Sequence, residues 1–265
     1  MIDRVESDKL VVAVAQHAPI PGDIAENARR AATTVAVAAD SGARLLLFPL
    51  LSLTGYDLDR LADPTCWVTA EDPRLDVVRE ASRTHGVTTV VGAAWLGPDG
   101  DRLLASVVLS PDGGVEIVGK QYLHRDERDL FEPGVSSPMA EIDGWRIALA
   151  VCYDAAAPEH ALEAAGRGAD VYAVSALYTE GQERRLDVHP AARAMDHRMY
   201  ALVANLAGAG PGWRSCGGSG VWHPDGRRVA EAGIGPQIVV AVLERGELDR
   251  LRADDAKAGY RGQLG

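Results

Sequence analysis

The chain has 265 residues, a length between that of one large domain and that of two small ones. Hydrophobic residues make up 47% and charged residues 25%, which excludes a disordered or collagen-like chain. The net charge of −11 disfavours nucleic-acid binding. No apolar stretch approaches the roughly 20 residues of a membrane-spanning helix, and residues 1–9 do not resemble a secretory signal. We therefore expect a cytoplasmic protein without nucleic-acid or membrane partners.

Apolar periodicity and turn residues predict strands that alternate with helices along the chain. The predicted strands are residues 11–15, 44–48, 87–95, 102–109, 115–119, 145–151, 170–175, 201–206, 218–223, 227–230 and 238–243, and the predicted helices are residues 24–39, 75–85, 158–166 and 181–197. Hairpin turns at 111–114 and 224–226 interrupt the alternation, which favours mixed sheets with helices outside. Residues from Leu248 onward are expected to form a tail or a partner-docking arm. Because no linker or repeat divides the chain, we expect a single domain over residues 1–265.

Three widely spaced cysteines, Cys66, Cys152 and Cys216, show no zinc-ligand pattern, and at least one of them must be unpaired. Cys152 follows a predicted strand directly and precedes a helix predicted to begin near Pro158. A thiol at such a corner is exposed at the sheet edge, where backbone N–H groups favour a thiolate and an oxyanion. Cys152 is thus a candidate nucleophile, the alternative being a small buried hydrophobic residue. Cys66 and Cys216 lack this setting and are expected to be structural.

Lys120 ends the predicted strand 115–119, where a cation is able to stabilise both a thiolate and an oxyanion at the sheet edge. A lysine after a hairpin is also commonly solvated. Glu127 lies in a charged stretch, residues 125–129, which fits either a carboxylate that supports the site or a solvated loop. No histidine spacing indicates a metal site, and we predict neither a metal nor another cofactor.

Together these segments resemble the amidase-like branch of the carbon–nitrogen hydrolase family, also called the nitrilase superfamily. The resemblance covers almost the whole chain, and its specificity lies in the order and spacing of short motifs. These motifs are Ala13-Val14-Ala15-Gln16, Gly119-Lys120-Gln121-Tyr122-Leu123-His124, Phe131-Glu132-Pro133-Gly134, Val151-Cys152-Tyr153-Asp154 with Pro158-Glu159, Arg193-Ala194-Met195-Asp196-His197-Arg198-Met199-Tyr200, Ala204-Asn205, Gly217-Gly218-Ser219 and Pro224-Asp225-Gly226. The resemblance implies an α/β fold, a four-layer α-β-β-α sandwich, and a homodimer or higher homo-oligomer.

The resemblance also implies roles for individual residues, because members of the family carry a Glu-Lys-Cys triad. Cys152 would be the nucleophile, and Lys120 would stabilise the tetrahedral intermediate together with the backbone N–H of Tyr153. Glu127 matches a second glutamate that orients the lysine or the substrate in many members.

One position departs from the family pattern. In the segment Leu47-Phe48-Pro49-Leu50-Leu51-Ser52-Leu53-Thr54-Gly55-Tyr56, Leu50 stands where the resemblance places the general-base glutamate. Leucine cannot accept a proton, and a positioned base contributes about 10²- to 10⁴-fold in rate. We therefore expect slow or absent turnover unless Glu127 substitutes as the base. An engineered change, a natural pseudoenzyme and altered chemistry remain open as explanations.

The leading hypothesis is a hydrolase that cleaves a small amide through a thioester on Cys152, and a nitrile substrate would use the same thiol. The alternative is a non-catalytic binding or scaffold protein on the same fold. Residues 155–157 are alanines where relatives that bind N-carbamoyl amino acids present an arginine, which disfavours acidic amino-acid derivatives. Three aromatic residues lie in segments that line the pocket of relatives, although ordinary packing explains them equally well: Tyr56, Tyr178 and Trp213.

Overall fold

The computed structural model describes residues 8–135 and 138–259. In this part of the chain the strands and helices alternate much as predicted. The strands are β1 (Lys9–Gln16), β2 (Leu45–Leu47), β3 (Thr88–Leu96), β4 (Arg102–Leu109), β5 (Val115–Gly119), β6 (Ala140–Ile142), β7 (Trp145–Val151), β8 (Val171–Ala176), β9 (Tyr200–Asn205), β10 (Ala209–Gly210), β11 (Trp213–Arg214), β12 (Gly220–Trp222), β13 (Arg228–Glu231) and β14 (Gln237–Glu244). The α-helices are α1 (Ile24–Asp40), α2 (Asp76–His85), α3 (Pro158–Gly166), α4 (Glu183–His197) and α5 (Arg245–Lys257).

The strands form two six-stranded mixed sheets and one short hairpin. The first sheet has the order β14-β1-β2-β3-β4-β5, with β1, β2 and β3 parallel. The second has the order β13-β12-β9-β8-β7-β6, with β7, β8 and β9 parallel. The remaining pairs are antiparallel, and β10 and β11 form the short hairpin. Mixed sheets were predicted from the hairpins, and the structure confirms them.

Alternation of side chains along each strand produces four layers. In β2, Leu45 and Leu47 pack into the core between the sheets, whereas Leu46 packs on the opposite face under α1 and α2. In the second sheet, Leu149 enters the central core while Ala148 and Ala150 face α3 and α4. The fold is therefore the α-β-β-α sandwich that the resemblance implied.

Helix ends follow the local sequence. Asp23 caps α1, because its side chain accepts a hydrogen bond from the backbone N–H of Glu26. α2 ends at Gly86, which adopts a left-handed conformation with φ of 66°. Alanines at helical spacing in α1 let the helix lie close against the first sheet.

The C-terminal part of the described chain corrects one expectation. Residues 245–257 form α5 and not a tail, and Leu248 is fully buried. The guanidinium of Arg252 donates to Asp170 at 2.7 Å, and Arg198 pairs with Asp255 at 2.8 Å. The prediction of a tail was wrong because charged residues dominate α5 and one buried leucine gives little apolar periodicity.

Short elements were also missed by the sequence patterns. β6, β10 and β11 have two or three residues each, and three 3₁₀ helices lie between residues 60 and 75. Such pieces are too short to show a period. No α-helix among the described residues is long and apolar enough to cross a membrane.

Candidate active site

The first wall of the candidate site is the turn that follows β2. The backbone N–H of Phe48 donates to Val90 at 2.8 Å, and the hydroxyl of Ser175 donates to the Phe48 carbonyl at 2.8 Å. These two bonds attach the turn to β3 and to the second sheet. Leu51 then adopts a left-handed φ of 47°, which turns the chain sharply at this point.

The turn packs directly against β3. A Cβ atom at Gly92 would lie 2.3 Å from the Leu51 nitrogen and 2.4 Å from the Pro49 carbonyl oxygen, so only glycine fits. Leu50 is 1% exposed, and it belongs to an apolar cluster with Val151. Cys152 packs against this cluster, and Leu50 and Cys152 line the same cavity.

The second wall is the turn that follows β7. Cys152 adopts a left-handed φ of 52° and begins a 3₁₀ helix, Cys152–Ala156, before α3. A non-glycine residue with positive φ is uncommon and is held only by its surroundings. Cys152 is half-buried as a residue, and its Sγ lies 3.8 Å from the Leu177 carbonyl oxygen. The predicted strand-to-helix corner is therefore present.

Asp154 connects this turn to the segment that follows Lys120. Its carboxylate accepts hydrogen bonds from the backbone N–H of Val151 at 2.9 Å, of Gln121 at 3.1 Å and of Tyr122 at 2.8 Å. Because one buried side chain holds both segments, Asp154 fixes the cysteine turn relative to the lysine. Sequence reasoning treated Asp154 only as part of a motif and missed this connection.

The backbone of Lys120 is held on both sides. Its N–H donates to the Leu104 carbonyl at 2.8 Å, and its carbonyl accepts from Gly134 at 2.7 Å. Gly134 crosses Gly119 so closely that a Cβ atom would lie 2.3 Å from the Gly119 oxygen. The Phe131–Gly134 turn therefore packs against the end of β5 and fixes the backbone of Lys120, whose side chain is buried.

Lys120 and Glu127 form a buried ion pair, and both side chains are 1% exposed. The Lys120 ammonium donates to the two carboxylate oxygens at 2.8 and 2.7 Å. Glu127 also accepts from the Tyr56 hydroxyl at 3.1 Å and from the His124 backbone N–H at 2.7 Å. The solvated-loop alternative is thus wrong at Glu127, and a solvated Lys120 is excluded as well. With four hydrogen bonds accepted, Glu127 is suited to orient Lys120.

The electrostatics of Cys152 differ from the sequence-based expectation. Burial raises the pKa of the Cys152 thiol, and the nearby Lys120 charge lowers it only in part, while Glu127 and Asp154 raise it further. Desolvation therefore outweighs the lysine, and the thiol form is favoured at neutral pH. The expectation of a favoured thiolate was wrong because burial of the thiol has the largest effect on its pKa and Glu127 opposes the Lys120 charge.

The structure brings all the predicted site residues to one cavity of about 1000 Å³, counted with its open mouth. They are Leu50, Tyr56, Lys120, Glu127, Cys152, Tyr153, Tyr178 and Trp213. Sequence reasoning missed other lining residues on the 3₁₀ helix Arg125–Glu127, on α4 and at the position just before α4. These are Asp126, Gln182, Arg185 and His189.

The three predicted aromatic residues have different environments. Tyr56 is held from both ends, because its hydroxyl donates to Glu127 and its carbonyl accepts from the Trp213 indole at 2.9 Å. Burial and the neighbouring Glu127 carboxylate raise the pKa of the Tyr56 hydroxyl above its ordinary range. Tyr178 is 6% exposed, and its backbone is paired with the Asn205 amide. Tyr56 therefore supports the ion pair in addition to lining the cavity.

Arg193 on α4 is a further residue that sequence reasoning used only as a motif position. Arg193 is 8% exposed, and its guanidinium donates to the carbonyls of Ala155 at 3.1 Å and Ala156 at 3.3 Å. A buried arginine thus supports the turn behind Cys152. Among the described residues, no group of three or more potential ligands is positioned to hold a metal ion.

Comparison with known proteins agrees with this geometry. A sequence profile of the family described as carbon-nitrogen hydrolase matches residues 11–253. The (R)-stereoselective amidase of a Pseudomonas species is 31% identical over 240 residues, covering 88% of this chain and 84% of that protein. Saccharomyces cerevisiae Nit3, a member of branch 10 of the nitrilase superfamily, has a TM-score of 0.85 at 23% identity, covering 94% and 95% of the two chains. The latter likeness concerns the fold alone.

A second solved structure is an amidase from Nesterenkonia sp., which is 29% identical with a TM-score of 0.81, covering 96% of this chain and 97% of that chain. A variant of the Nesterenkonia sp. AN1 amidase in which a glutamate is replaced by leucine is 28% identical with the same TM-score, covering 97% and 98%. That variant shows covalent addition of the acetamide moiety of fluoroacetamide at its active-site cysteine.

Proposed function

The chain belongs to the carbon–nitrogen hydrolase family, and we propose that it cleaves a small amide through a thioester on Cys152. The observation that carries this proposal is the buried Lys120–Glu127 pair, which lines the same cavity as the Cys152 thiol. A buried, oriented ammonium beside a thiol is suited to stabilise the oxyanion of a tetrahedral intermediate. The amidase names of relatives and structural neighbours support an amide substrate.

In the proposed reaction, Sγ of Cys152 attacks the amide carbonyl carbon, and the C–N bond breaks as the thioester forms. Lys120 and the backbone N–H of Tyr153 stabilise the oxyanion. The thiol proton leaves with the nitrogen, which departs as ammonia or an amine. Water then attacks the thioester, releasing a carboxylic acid and restoring the thiol.

Leu50 weakens the steps that move protons. It occupies the cavity wall next to Cys152 without an acceptor, and the thiol has a raised pKa. Glu127 is occupied by Lys120, Tyr56 and His124, so we propose that it positions Lys120 and does not serve as the base. Hydrolysis of the thioester needs an activated water and is the step that we expect to be slowest.

The leucine variant of the Nesterenkonia amidase supports one part of this proposal. Its cysteine carries a covalent group although a glutamate has been replaced by leucine. That acetamide group keeps its amide, so it is joined to the sulfur by a thioether formed with loss of fluoride. We infer by analogy only that the Cys152 sulfur is nucleophilic without a glutamate at position 50, and persistence of a thioester is expected from the missing proton acceptor. An acyl-enzyme that forms faster than it hydrolyses is the expected state of this chain with substrate.

Intact-protein mass spectrometry tests the proposal. The chain and its Leu50→Glu variant are incubated with small amides, N-carbamoyl amines and nitriles, and Cys152→Ala serves as the control. We expect a mass increase on Cys152 that persists in the chain and clears in Leu50→Glu, which turns over at least 10²-fold faster. No adduct from any amide and no turnover in either form would refute the hydrolase proposal.

A second candidate function is a non-catalytic binding protein on the same fold. Leu50 packs into the apolar cluster that Cys152 contacts, so this part of the cavity wall is filled without a proton acceptor. This packing favours the binding-protein alternative. Under this alternative, neither Leu50→Glu nor Cys152→Ala changes activity.

Three further properties are part of the proposal: one domain over residues 1–265, a cytoplasmic location and a homodimer or higher homo-oligomer. The shared central core of the two sheets supports one domain. Sedimentation equilibrium of the full chain measures the oligomeric state.

A further inference from the structure

A buried histidine lies behind the turn that follows β7. His160 is in the first turn of α3 and is 6% exposed. Its Nε2 lies 3.8 Å from Oδ2 of the fully buried Asp154. That oxygen accepts the hydrogen bond from the Val151 N–H, whereas the other oxygen, Oδ1, accepts from Gln121 and Tyr122. His160 therefore faces the carboxylate oxygen that holds the residue before the candidate nucleophile.

The neighbours of His160 determine which ring nitrogen carries a proton. Burial lowers the pKa of His160, so the ring is neutral at neutral pH and has one N–H donor. Nδ1 lies 2.8 Å from the Tyr172 hydroxyl oxygen. A proton on Nδ1 would leave the Nε2 lone pair facing the Asp154 carboxylate, which is unfavourable. The favoured tautomer carries its proton on Nε2 and accepts from the Tyr172 hydroxyl at Nδ1.

The other ionisable groups around His160 are compatible with this tautomer. Burial raises the pKa of the Tyr172 hydroxyl well above its ordinary range, so Tyr172 remains a donor. Glu163 also lies on α3, but it is exposed and pairs with Arg167 at 3.7 Å. Asp154 is therefore the buried charge that faces the ring. Burial raises the pKa of the Asp154 carboxyl, and the neighbouring His160 and backbone N–H groups oppose this rise.

The Nε2 atom of His160 has no competing partner. It is buried and makes no hydrogen bond in the described structure. Its distance of 3.8 Å from Oδ2 of Asp154 is longer than a hydrogen bond, so the contact is an attraction between an N–H dipole and a charge. Such an attraction is stronger where water is excluded. It stabilises the carboxylate in the position in which Oδ2 accepts from Val151.

We propose that His160 is a positioning residue that holds the Cys152 turn through Asp154. The left-handed φ of 52° at Cys152 persists only while its surroundings fix it. Asp154 supplies part of this support, and the Nε2–H of His160 fixes the oxygen that does so. The effect on reaction rate rests on the proposed amidase function, whereas the contact itself does not. The motif Pro158-Glu159 ends just before His160, so the sequence resemblance assigned this residue no role.

The first experiment needs no activity and no substitution in the measured protein. NMR of the chain labelled with ¹⁵N-histidine shows which ring nitrogen carries the proton, and His160→Gln identifies the His160 signals. We expect the Nε2–H tautomer at pH 7.5. The Nδ1–H tautomer would overturn the proposal, because Nε2 would then have no proton to present to Asp154.

The second experiment follows the backbone N–H that Asp154 holds. Hydrogen–deuterium exchange of the Val151 N–H should be about tenfold faster in His160→Leu than in the chain. His160→Gln should keep the exchange rate of the chain, because its side-chain NH₂ group reaches the place of Nε2. Equal acceleration in the two variants would overturn the proposal, since it would show that His160 only fills space.

His223→Leu is the matched control for the exchange experiment. His223 is also a buried histidine beside an aspartate, with its Nδ1 3.1 Å from Asp225. It follows β12, which β8 and β9 separate from β7 in the second sheet. The control corrects for a general loss of stability, and it should leave the exchange rate of Val151 unchanged. The same acceleration in His223→Leu as in His160→Leu would overturn the proposal.

The third experiment connects the position of Cys152 to the reaction. Acylation of Cys152 by propanamide is followed by intact mass at pH 7.5 over a range of propanamide concentrations. We expect His160→Leu to lower the maximal acylation rate about tenfold without changing the half-saturating concentration, and His160→Gln to restore the rate. An unchanged maximal rate in His160→Leu would overturn the proposal. Absence of acylation in the chain and in Leu50→Glu would count against the amidase function alone, and the role of His160 would then stand or fall with the exchange of Val151.

Discussion

The turns after β2 and after β7 occupy similar places in their sheets but differ in chemistry. Each follows a strand that is paired on both sides, and each contains a non-glycine residue with positive φ, Leu51 or Cys152. The turn after β2 presents Leu50 and is fixed by close packing on Gly92. The turn after β7 presents a thiol and is fixed by hydrogen bonds to Asp154 and Arg193.

The comparison shows that the geometry of a site and its proton chemistry are separable. Packing on Gly92 and hydrogen bonds to the backbone of Phe48 hold the first turn in place, and none of these contacts uses the side chain of residue 50, so an apolar residue fits there without disturbing the fold. The second turn contains the Asp154 carboxylate, which accepts from three backbone N–H groups, and it lines the same cavity as the buried Lys120–Glu127 ion pair. A buried charge without a partner is energetically costly. Removal of the partner of Lys120, Glu127 or Asp154 should therefore destabilise the fold more than replacement of a neighbour of Leu50.

The largest effect is expected from breaking the ion pair near the second turn. Lys120→Met leaves the Glu127 carboxylate buried with only Tyr56 and His124 as donors. We expect the free energy of unfolding to fall by about 3–5 kcal/mol and acylation of Cys152 to be lost. Urea unfolding followed by circular dichroism measures the first effect, and intact mass measures the second.

A double-mutant cycle provides the control for this prediction. Glu127→Leu alone leaves the Lys120 ammonium unpaired, while the Lys120→Met and Glu127→Leu double variant removes both charges. The double variant should therefore be more stable than the sum of the single losses indicates. Strict additivity of the two losses would show that the pair is not coupled.

The sequence was sufficient to predict that Cys152 and Lys120 lie at one site, and both line the same cavity. Cys152 and Lys120 both end predicted strands, and strand ends bring distant residues to one edge of a sandwich. The order of motifs then implied the layers, which the two sheets confirm. The roles of these residues in catalysis remain predictions, because geometry shows their placement and not a reaction.

Other parts of the site could not be predicted. Whether Lys120 is solvated or buried depends on Gly134 crossing Gly119, a contact between segments that no local pattern encodes. Which face of α4 meets the cavity is obscured by Arg193, a charged residue on the buried side. The raised pKa of Cys152 depends on burial and on the pairing of Lys120 with Glu127, both tertiary effects.

The next effect tests how much close packing on Gly92 contributes to holding the first turn. Gly92→Ala places a methyl group against the Leu51 nitrogen and the Pro49 oxygen, both backbone atoms that cannot rotate away. We expect a loss of about 3 kcal/mol in the free energy of unfolding by urea denaturation. Gly246→Ala in α5, where a Cβ atom meets nothing within 4 Å, should change stability by less than about 1 kcal/mol. Equal changes in the two variants would contradict the packing account.

The smallest effect is the loss of stability in acid that comes from protonation of His17, which packs beside the first turn. His17 packs edge-on against Phe48 with ring centroids 5.7 Å apart, and its Nε2 is buried without a partner in the described structure. Burial and the Arg30 charge lower the pKa of His17 from 6.5 to about 4. The unfolded chain thus takes up this proton at a higher pH than the folded chain, so stability is present above pH 6.5 and is lost as the pH falls towards 4.

Because His17 is partly exposed, we expect it to contribute about 2 kcal/mol of this acid destabilisation, less than its full pKa shift implies. The measurement is urea unfolding between pH 4 and pH 7.5 for the chain and for His17→Gln. The variant should lose less stability over that range, even if it is less stable at pH 7.5. His160 and His189 also have lowered pKa values, so the variant keeps part of the slope. If the free energy of unfolding depends on pH equally in the chain and in His17→Gln, protonation of His17 does not destabilise the fold.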